Sequence, residues 1–313
     1  MAHSETDRLS VDAGGAGPLA HLQGRVPPAP AWFDWAIAQA PERFSVSVQE
    51  AQIACLAWGK RGNPGLILLH GNGAHAEWWS FIAPFLADQF RIVAPSWSGM
   101  GDSDWRPRYH VETFGAEALA AGEAGGAFEG ERKPLVLGHS FGGFPALWLA
   151  RAAGERLAGV VALDTPLDPP GEEHGGPPAR SKANRVYATV EEALARFRLA
   201  PPQPCDLLAA IDFIGRRSIK EAPGGFTWKF DPHIWQRFEF DGDGPLTHGA
   251  RCPVGFVWGA QSALVTPRVA AYMRTLLPPR GPAIEIPYAQ HHVMLDQPLA
   301  LVSALRGLFA VWP

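Results

Sequence analysis

The chain has 313 residues, 47% of them apolar, and its 27 basic and 31 acidic side chains leave a formal charge of −4. That composition supports one large core, or a core plus an insert, and excludes a disordered or fibrous chain. A pI near 6.3 without a clustered basic face excludes a polyanion as the main partner, so no nucleic acid is expected.

Residues 1–30 are rich in Ala, Gly, Pro and polar side chains and lack the apolar block of a signal peptide, so they read as a flexible tail on a cytoplasmic protein. Beyond them, Phe44 to Val48 and Ile53 to Trp58 are β-favouring runs parted by polar residues, the pattern of two antiparallel strands. Leu66 to Leu69 and Arg91 to Ala94 are apolar strands, each ending in a turn-rich segment. Trp78 to Leu86 between them carries helical spacing, as does Glu112 to Ala124. Leu135 to Leu137 and Val160 to Leu163 extend the alternation of short apolar strands with helices, which predicts an α/β fold with a mostly parallel sheet covered on both faces. From about residue 165 to 250 the pattern changes, with proline clusters separating helices expected at Val190 to Arg198 and Asp206 to Ser218. This segment reads as an inserted helical cap, with residues 31–164 and 251–313 forming the core domain. Val254 to Trp258 and Ala283 to Ile286 resume the strands, and Leu299 to Ala310 closes the chain as an amphipathic helix. No segment reaches the roughly 20 continuous apolar residues of a membrane span.

The most informative stretch runs Leu135-Val136-Leu137-Gly138-His139-Ser140-Phe141-Gly142-Gly143. A Ser on a sharp strand-to-helix turn is strained, and side chains two residues before and after it would clash, which is the place of Gly138 and Gly142. Ser140 is therefore the candidate nucleophile. Cys55, Cys205 and Cys252 are too few and too widely spaced for a disulfide framework or a zinc site, and no phosphate loop or metal motif appears, so no cofactor or metal is expected.

From about residue 43 onward the chain resembles the α/β-hydrolase superfamily, in particular its capped branch of small esterases and haloalkane dehalogenases. Four blocks carry the resemblance in order: His70-Gly71-Asn72-Gly73, Ser98-Gly99-Met100-Gly101-Asp102-Ser103, the Ser140 segment, and Gln290-His291-His292 through Pro298. The serine at the nucleophile position, where dehalogenases carry Asp, favours acyl transfer. A serine hydroxyl needs a base, and imidazole suits the task. The family's spacing to Pro298 implies His291, with His292 as the alternative and His139 in a supporting place. In the slot after Gly259 where relatives commonly carry the acid stands Ser262, and a hydroxyl cannot compensate an imidazolium. The resemblance then points to Asp164 at the end of a strand, with Asp168 as its rival; Asp296 lies close behind His291, and Asp102 and Asp231 read as turn residues. It also implies an oxyanion hole from the backbone N–H groups of Phe141 and Asn72, with Gly73 as the alternative.

Twelve tryptophans suggest an apolar or aromatic small-molecule substrate, with Trp78, Trp97, Trp228 and Trp235 as candidate pocket residues. The expectation is a serine hydrolase acting on an ester, thioester or lactone. Carbon–carbon hydrolysis, cofactor-free lyase or oxygenase chemistry, and a slow or non-catalytic small-molecule receptor are the alternatives, and the oligomeric state is not legible in the sequence.

Overall fold

The computed structural model describes residues 17–171, 180, 182–239, 249–278 and 281–312. Eight strands form one sheet: β1 (Glu42–Val48), β2 (Ala51–Trp58), β3 (Gly65–Leu69), β4 (Arg91–Pro95), β5 (Leu135–His139), β6 (Gly159–Leu163), β7 (Val254–Gly259) and β8 (Ala283–Ile286). Their spatial order is β1-β2-β4-β3-β5-β6-β7-β8, antiparallel across β1, β2 and β4 and parallel from β4 to β8. β1 alternates exposed and partly buried positions at the sheet edge, whereas β3 to β7 are buried throughout, as strands covered on both faces must be. The β1–β2 hairpin turns through Gln49 and Glu50, both with positive φ, the twist a two-residue hairpin loop demands.

Two cores flank the sheet. On one face α2 (Val111–Ala124), α3 (Gly143–Ala152) and α6 (Pro267–Thr275) bury Phe114, Leu147 and Met273. On the other, α1 (Ala31–Ala38) and the C-terminal helix Pro298–Val311 bury Phe33, Leu301 and Leu305. The stretch expected as one helix over Trp78 to Leu86 is instead two 3₁₀ turns, Ala76–Trp79 and Ala83–Phe85. Pro84 supplies no N–H to continue an α-helical ladder.

Between β6 and β7 the expected helices are shorter than their sequence periodicity, α4 covering Val190–Leu194 and α5 Leu208–Arg217. A hairpin follows, Ile219–Ala222 with Gly225–Trp228, and Phe238–Glu239 pairs in parallel with Tyr109–His110. This insertion is fastened to the sheet domain by buried polar contacts. Asp231 is no mere turn residue: it accepts from the Tyr109 hydroxyl at 2.9 Å and from Arg237 Nη1 at 2.8 Å. His75 Nε2 meets Ser218 Oγ at 2.9 Å, and because that hydroxyl donates to the Ile214 carbonyl, His75 is the donor.

The expected tail needs correction from residue 17 onward. Gly17 N–H donates to Ala195 O at 2.7 Å, Leu19 is buried, and Arg216 Nη2 donates to Gly24 O, so residues 17–24 are laid along the insertion. The earlier part of the expected tail lies outside the described residues.

Candidate active site

Strand register brings the candidate residues to one edge of the sheet. Leu69 of β3 pairs with Gly138 of β5, His139 of β5 with Leu163 of β6, and Leu163 with Val257 of β7. The segments starting at His70, Ser140 and Asp164 therefore leave the sheet side by side, at the carboxyl ends where open α/β sheets bind ligands.

Ser140 has φ +52, a left-handed conformation that a β-carbon disfavours, so the turn is held by its surroundings. A β-carbon on Gly138 would lie 2.2 Å from the Gly142 carbonyl oxygen, and one on Gly142 would lie 2.5 Å from that of His70. The Thr165 hydroxyl donates to Ser140 O at 2.9 Å, tying the turn to the end of β6.

Asp164 is fully buried, also with positive φ, and its carboxylate receives three donors. His291 Nδ1 lies 2.8 Å from Oδ1, Ser262 Oγ donates to the same oxygen at 2.6 Å, and Gly259 N–H donates to Oδ2 at 2.8 Å. The slot without an acid thus contains a hydroxyl that braces the Asp164 carboxylate at the end of β6, a contact between residues 98 positions apart that leaves no local pattern in the sequence. Because Nδ1 faces a carboxylate, it carries the proton and leaves the Nε2 lone pair available. Asp168 is half-buried four residues on and is not the partner of this ring.

The turn after β3 is set by a neutral histidine. Trp97 N–H donates to His70 Nε2 at 3.0 Å, so the proton is on Nδ1, which donates to Gly71 O at 2.8 Å. Burial holds this ring neutral, pushing its pKa down to about 3. A trans peptide points its C=O and N–H in opposite directions, so fixing Gly71 O also fixes the Asn72 N–H. That N–H donates to no other described residue.

The His291 loop is held from three sides. His139 Nε2 donates to the His291 carbonyl at 3.0 Å. Asp296 accepts from Gln290 N–H at 2.6 Å and from Gln203 Nε2 at 3.0 Å, while Gln203 Oε1 accepts from His292 N–H at 2.9 Å. Gln203, from the insertion, went unrecognised in the sequence because a contact spanning 93 residues leaves no local pattern. Burial, with the neighbouring imidazoles, lowers the pKa of His139 to about 3 and that of His292 well below the ordinary histidine value.

The four expected tryptophans separate. Trp78 packs 5.4 Å from the His292 ring, and Trp235 stands edge-on to Phe141 at 5.1 Å, so both border the site. Trp97 is a correction: it is wholly buried, donates Nε1 to the His70 carbonyl, and belongs to the core behind the turn. Trp228 packs with Tyr187 and Phe197 inside the insertion. Among the described residues, the grouping whose side chains could hold a metal ion is His139, His291 and His292.

A strained serine after β5, a carboxylate–imidazole pair from β6 and the C-terminal loop, and a Gly-rich turn after β3 together have the architecture of a serine hydrolase. Residues 66–305 match the Alpha/beta hydrolase family, and the chain belongs to it. Among curated relatives, Esterase Rv0045c of Mycobacterium tuberculosis is 28% identical over 274 residues, covering 83% of this chain and 87% of that protein. A pimeloyl-[acyl-carrier protein] methyl ester esterase of Sodalis glossinidius is 37% identical over 102 residues, 33% of this chain and 37% of its own. Among solved structures, a thioesterase domain from the curacin biosynthetic pathway superposes with a TM-score of 0.70 at 21% identity, covering 85% of this chain and 99% of its own, a likeness of fold. Among the described residues no helix is long and apolar enough to cross a membrane.

Proposed function

We propose that the chain is a serine hydrolase cleaving a small carboxylic ester, thioester or lactone, with Ser140 as nucleophile, His291 as base and Asp164 as acid. The observation that carries this reading is the 2.8 Å contact of His291 Nδ1 with a carboxylate itself fixed by Ser262 and Gly259, at the strand edge where Ser140 leaves the sheet. In the proposed reaction Ser140 Oγ attacks the carbonyl carbon while His291 Nε2 takes its proton. The imidazolium so formed is stabilised by Asp164, then returns the proton to the leaving group. The Phe141 and Asn72 N–H groups hold the oxyanion, and water repeats the sequence to release the acid. The relatives named as esterases support this substrate class. The case for a non-catalytic receptor rested on the absent acid after Gly259, and Asp164 supplies a carboxylate there.

An activity-based fluorophosphonate and a p-nitrophenyl ester series of graded chain length test the proposal. The wild type labels covalently and turns over esters, with both lost in Ser140→Ala; tight ligand retention without labelling would return the receptor reading. A cytoplasmic location is part of this reading and is tested by cell fractionation.

A further inference from the structure

Glu117 is a fully buried carboxyl that the proposed mechanism does not use, on a face of α2 that it shares with Phe114, Ala118 and Ala121. A buried ion pair is often no more stable than apolar side chains of the same volume, so the packing of α2 gives no reason for it. Its Oε2 accepts from Ser98 N–H at 2.9 Å and its Oε1 from Arg106 Nε at 3.0 Å. Arg106 Nε also reaches Ser98 Oγ at 3.0 Å, and the other guanidinium nitrogens donate to the carbonyls of Val48 and Gln49 at the β1–β2 turn. The carboxylate is thus anchored from two sides, and what it holds is the turn after β4. Among the described residues, Glu117 is the one acceptor for Ser98 N–H.

That turn meets the oxyanion segment at both of its ends. Immediately before Ser98, Trp97 N–H goes to His70 Nε2 at 3.0 Å, and the Trp97 indole donates to the His70 carbonyl at 2.9 Å. One residue earlier, Ser96 Oγ accepts from Ala76 N–H at 3.1 Å. Residues 70–76, which carry the Asn72 N–H, are therefore suspended from residues 96–98, and Ser98 in turn from Glu117. Neighbouring peptide planes are joined by two soft dihedrals. Without its acceptor the peptide between Trp97 and Ser98 can turn about them, and Trp97 N–H is no longer fixed on His70 Nε2. The ring then loses the donor that assigns its proton to Nδ1, the proton that holds Gly71 O.

We propose that Glu117 is a positioning residue of the oxyanion hole, fixing the peptide at Ser98 and, through Trp97 and His70, the direction of the Asn72 N–H. Being wholly buried, it acts without touching substrate. The kinetic consequence rests on the ester-hydrolase reading, whereas the link from Glu117 to the His70 ring does not.

The test is Glu117→Gln, which keeps the volume but sets an amide NH₂ against either Ser98 N–H or Arg106 Nε. Long-range proton–nitrogen NMR spectra read the His70 ring itself. In the wild type Nδ1 is protonated and Nε2 is bare and hydrogen-bonded; in the variant the Nε2 signal moves, as that nitrogen loses its donor or gains a proton. On p-nitrophenyl butyrate, kcat per fluorophosphonate-labelled serine falls at unchanged KM, by between about tenfold and the roughly 10²–10³-fold cost of losing an oxyanion donor outright. A general loss of fold would instead reduce the number of serines that label. An unmoved Nε2 signal, an unchanged kcat per labelled serine, or a loss confined to KM overturns the proposal. Should Glu117→Gln not fold, amide hydrogen exchange in the wild type decides: Trp97 and Ser98 amides as slow as those of β3 support it, and exchange at loop rates overturns it. If the His70 signal moves but the wild type neither labels nor turns over esters, the hydrolase reading fails and the link from Glu117 to His70 stands.

Discussion

The carboxylate of Asp164 has no spare capacity for a substitute. Its oxygens receive an imidazole N–H, a hydroxyl and a backbone N–H in a fully buried place, and its positive φ restricts which residues can sit there. Asp164→Asn keeps the shape but turns an amide NH₂ toward one of those donors, so His291 loses the acceptor that fixes its tautomer. Ester turnover is expected to fall about 10⁴-fold, while Asp168→Asn stays near the wild-type rate; the reverse pattern would transfer the acid role to Asp168. Ser262 makes the environment testable from the other side. Ser262→Asp sets a second carboxyl against Asp164 Oδ1, and two such groups in contact cannot both ionise, so one carboxyl pKa is raised. Activity that needs the carboxylate then disappears at a higher pH than in the wild type as acid is added, read from the acid limb of the kcat profile. Ser262→Ala adds no charge but removes a hydrogen bond to the carboxylate, so it moves that limb the same way and by less.

At the scale of elements, what the sequence discloses is whatever sterics and burial enforce locally. The run of apolar residues before Gly138, and the glycines spaced about Ser140, are legible because a β-carbon at either glycine would collide with backbone. The sheet strands are legible because burial on both faces leaves no polar position to alternate. The 3₁₀ turns around Trp78 and Pro84 were not, since helical spacing survives in a segment that a proline interrupts. Trp97 could not be told from a pocket residue, because a large aromatic side chain is used in cores and pockets alike. The brace from Gln203 to the His291 loop was invisible for want of any periodicity. Its removal makes the element-level prediction: Gln203→Ala strips a donor from half-buried Asp296 and an acceptor from His292 N–H. Unfolding free energy should fall by about 1–3 kcal/mol, with kcat reduced and Ser140 still labelled. A variant indistinguishable in both stability and kcat would show that the insertion does not hold this loop.

Across the whole molecule, the buried histidines couple stability to pH. Burial pushes His70 and His139 down to about 3 and His75 to about 4, and His292 lies well below its ordinary value. In the unfolded chain each titrates near 6.5. A histidine with a depressed folded pKa contributes stability that is present above the unfolded value and lost as pH falls toward the folded one. With four imidazoles protonated only when unfolded, the slope reaches about 5 kcal/mol per pH unit once pH is well below 6.5. The carboxyls of buried Glu117 and half-buried Asp296, raised by desolvation, work in the opposite sense near the ordinary carboxylate range and make the slope shallower there. Against a total of about 5–15 kcal/mol for an ordinary domain, the protein should unfold on mild acidification, well before its surface carboxylates are protonated. Denaturant melts at stepped pH from 7 to 5 measure this, and a flat stability over that interval would mean that these rings take up protons without unfolding. His75→Gln, which retains a donor for Ser218, removes one of the four and should reduce the slope by about 1.4 kcal/mol per pH unit. Because His75 links the turn beside the site to the insertion, the same variant also asks whether the two parts lose their stability together.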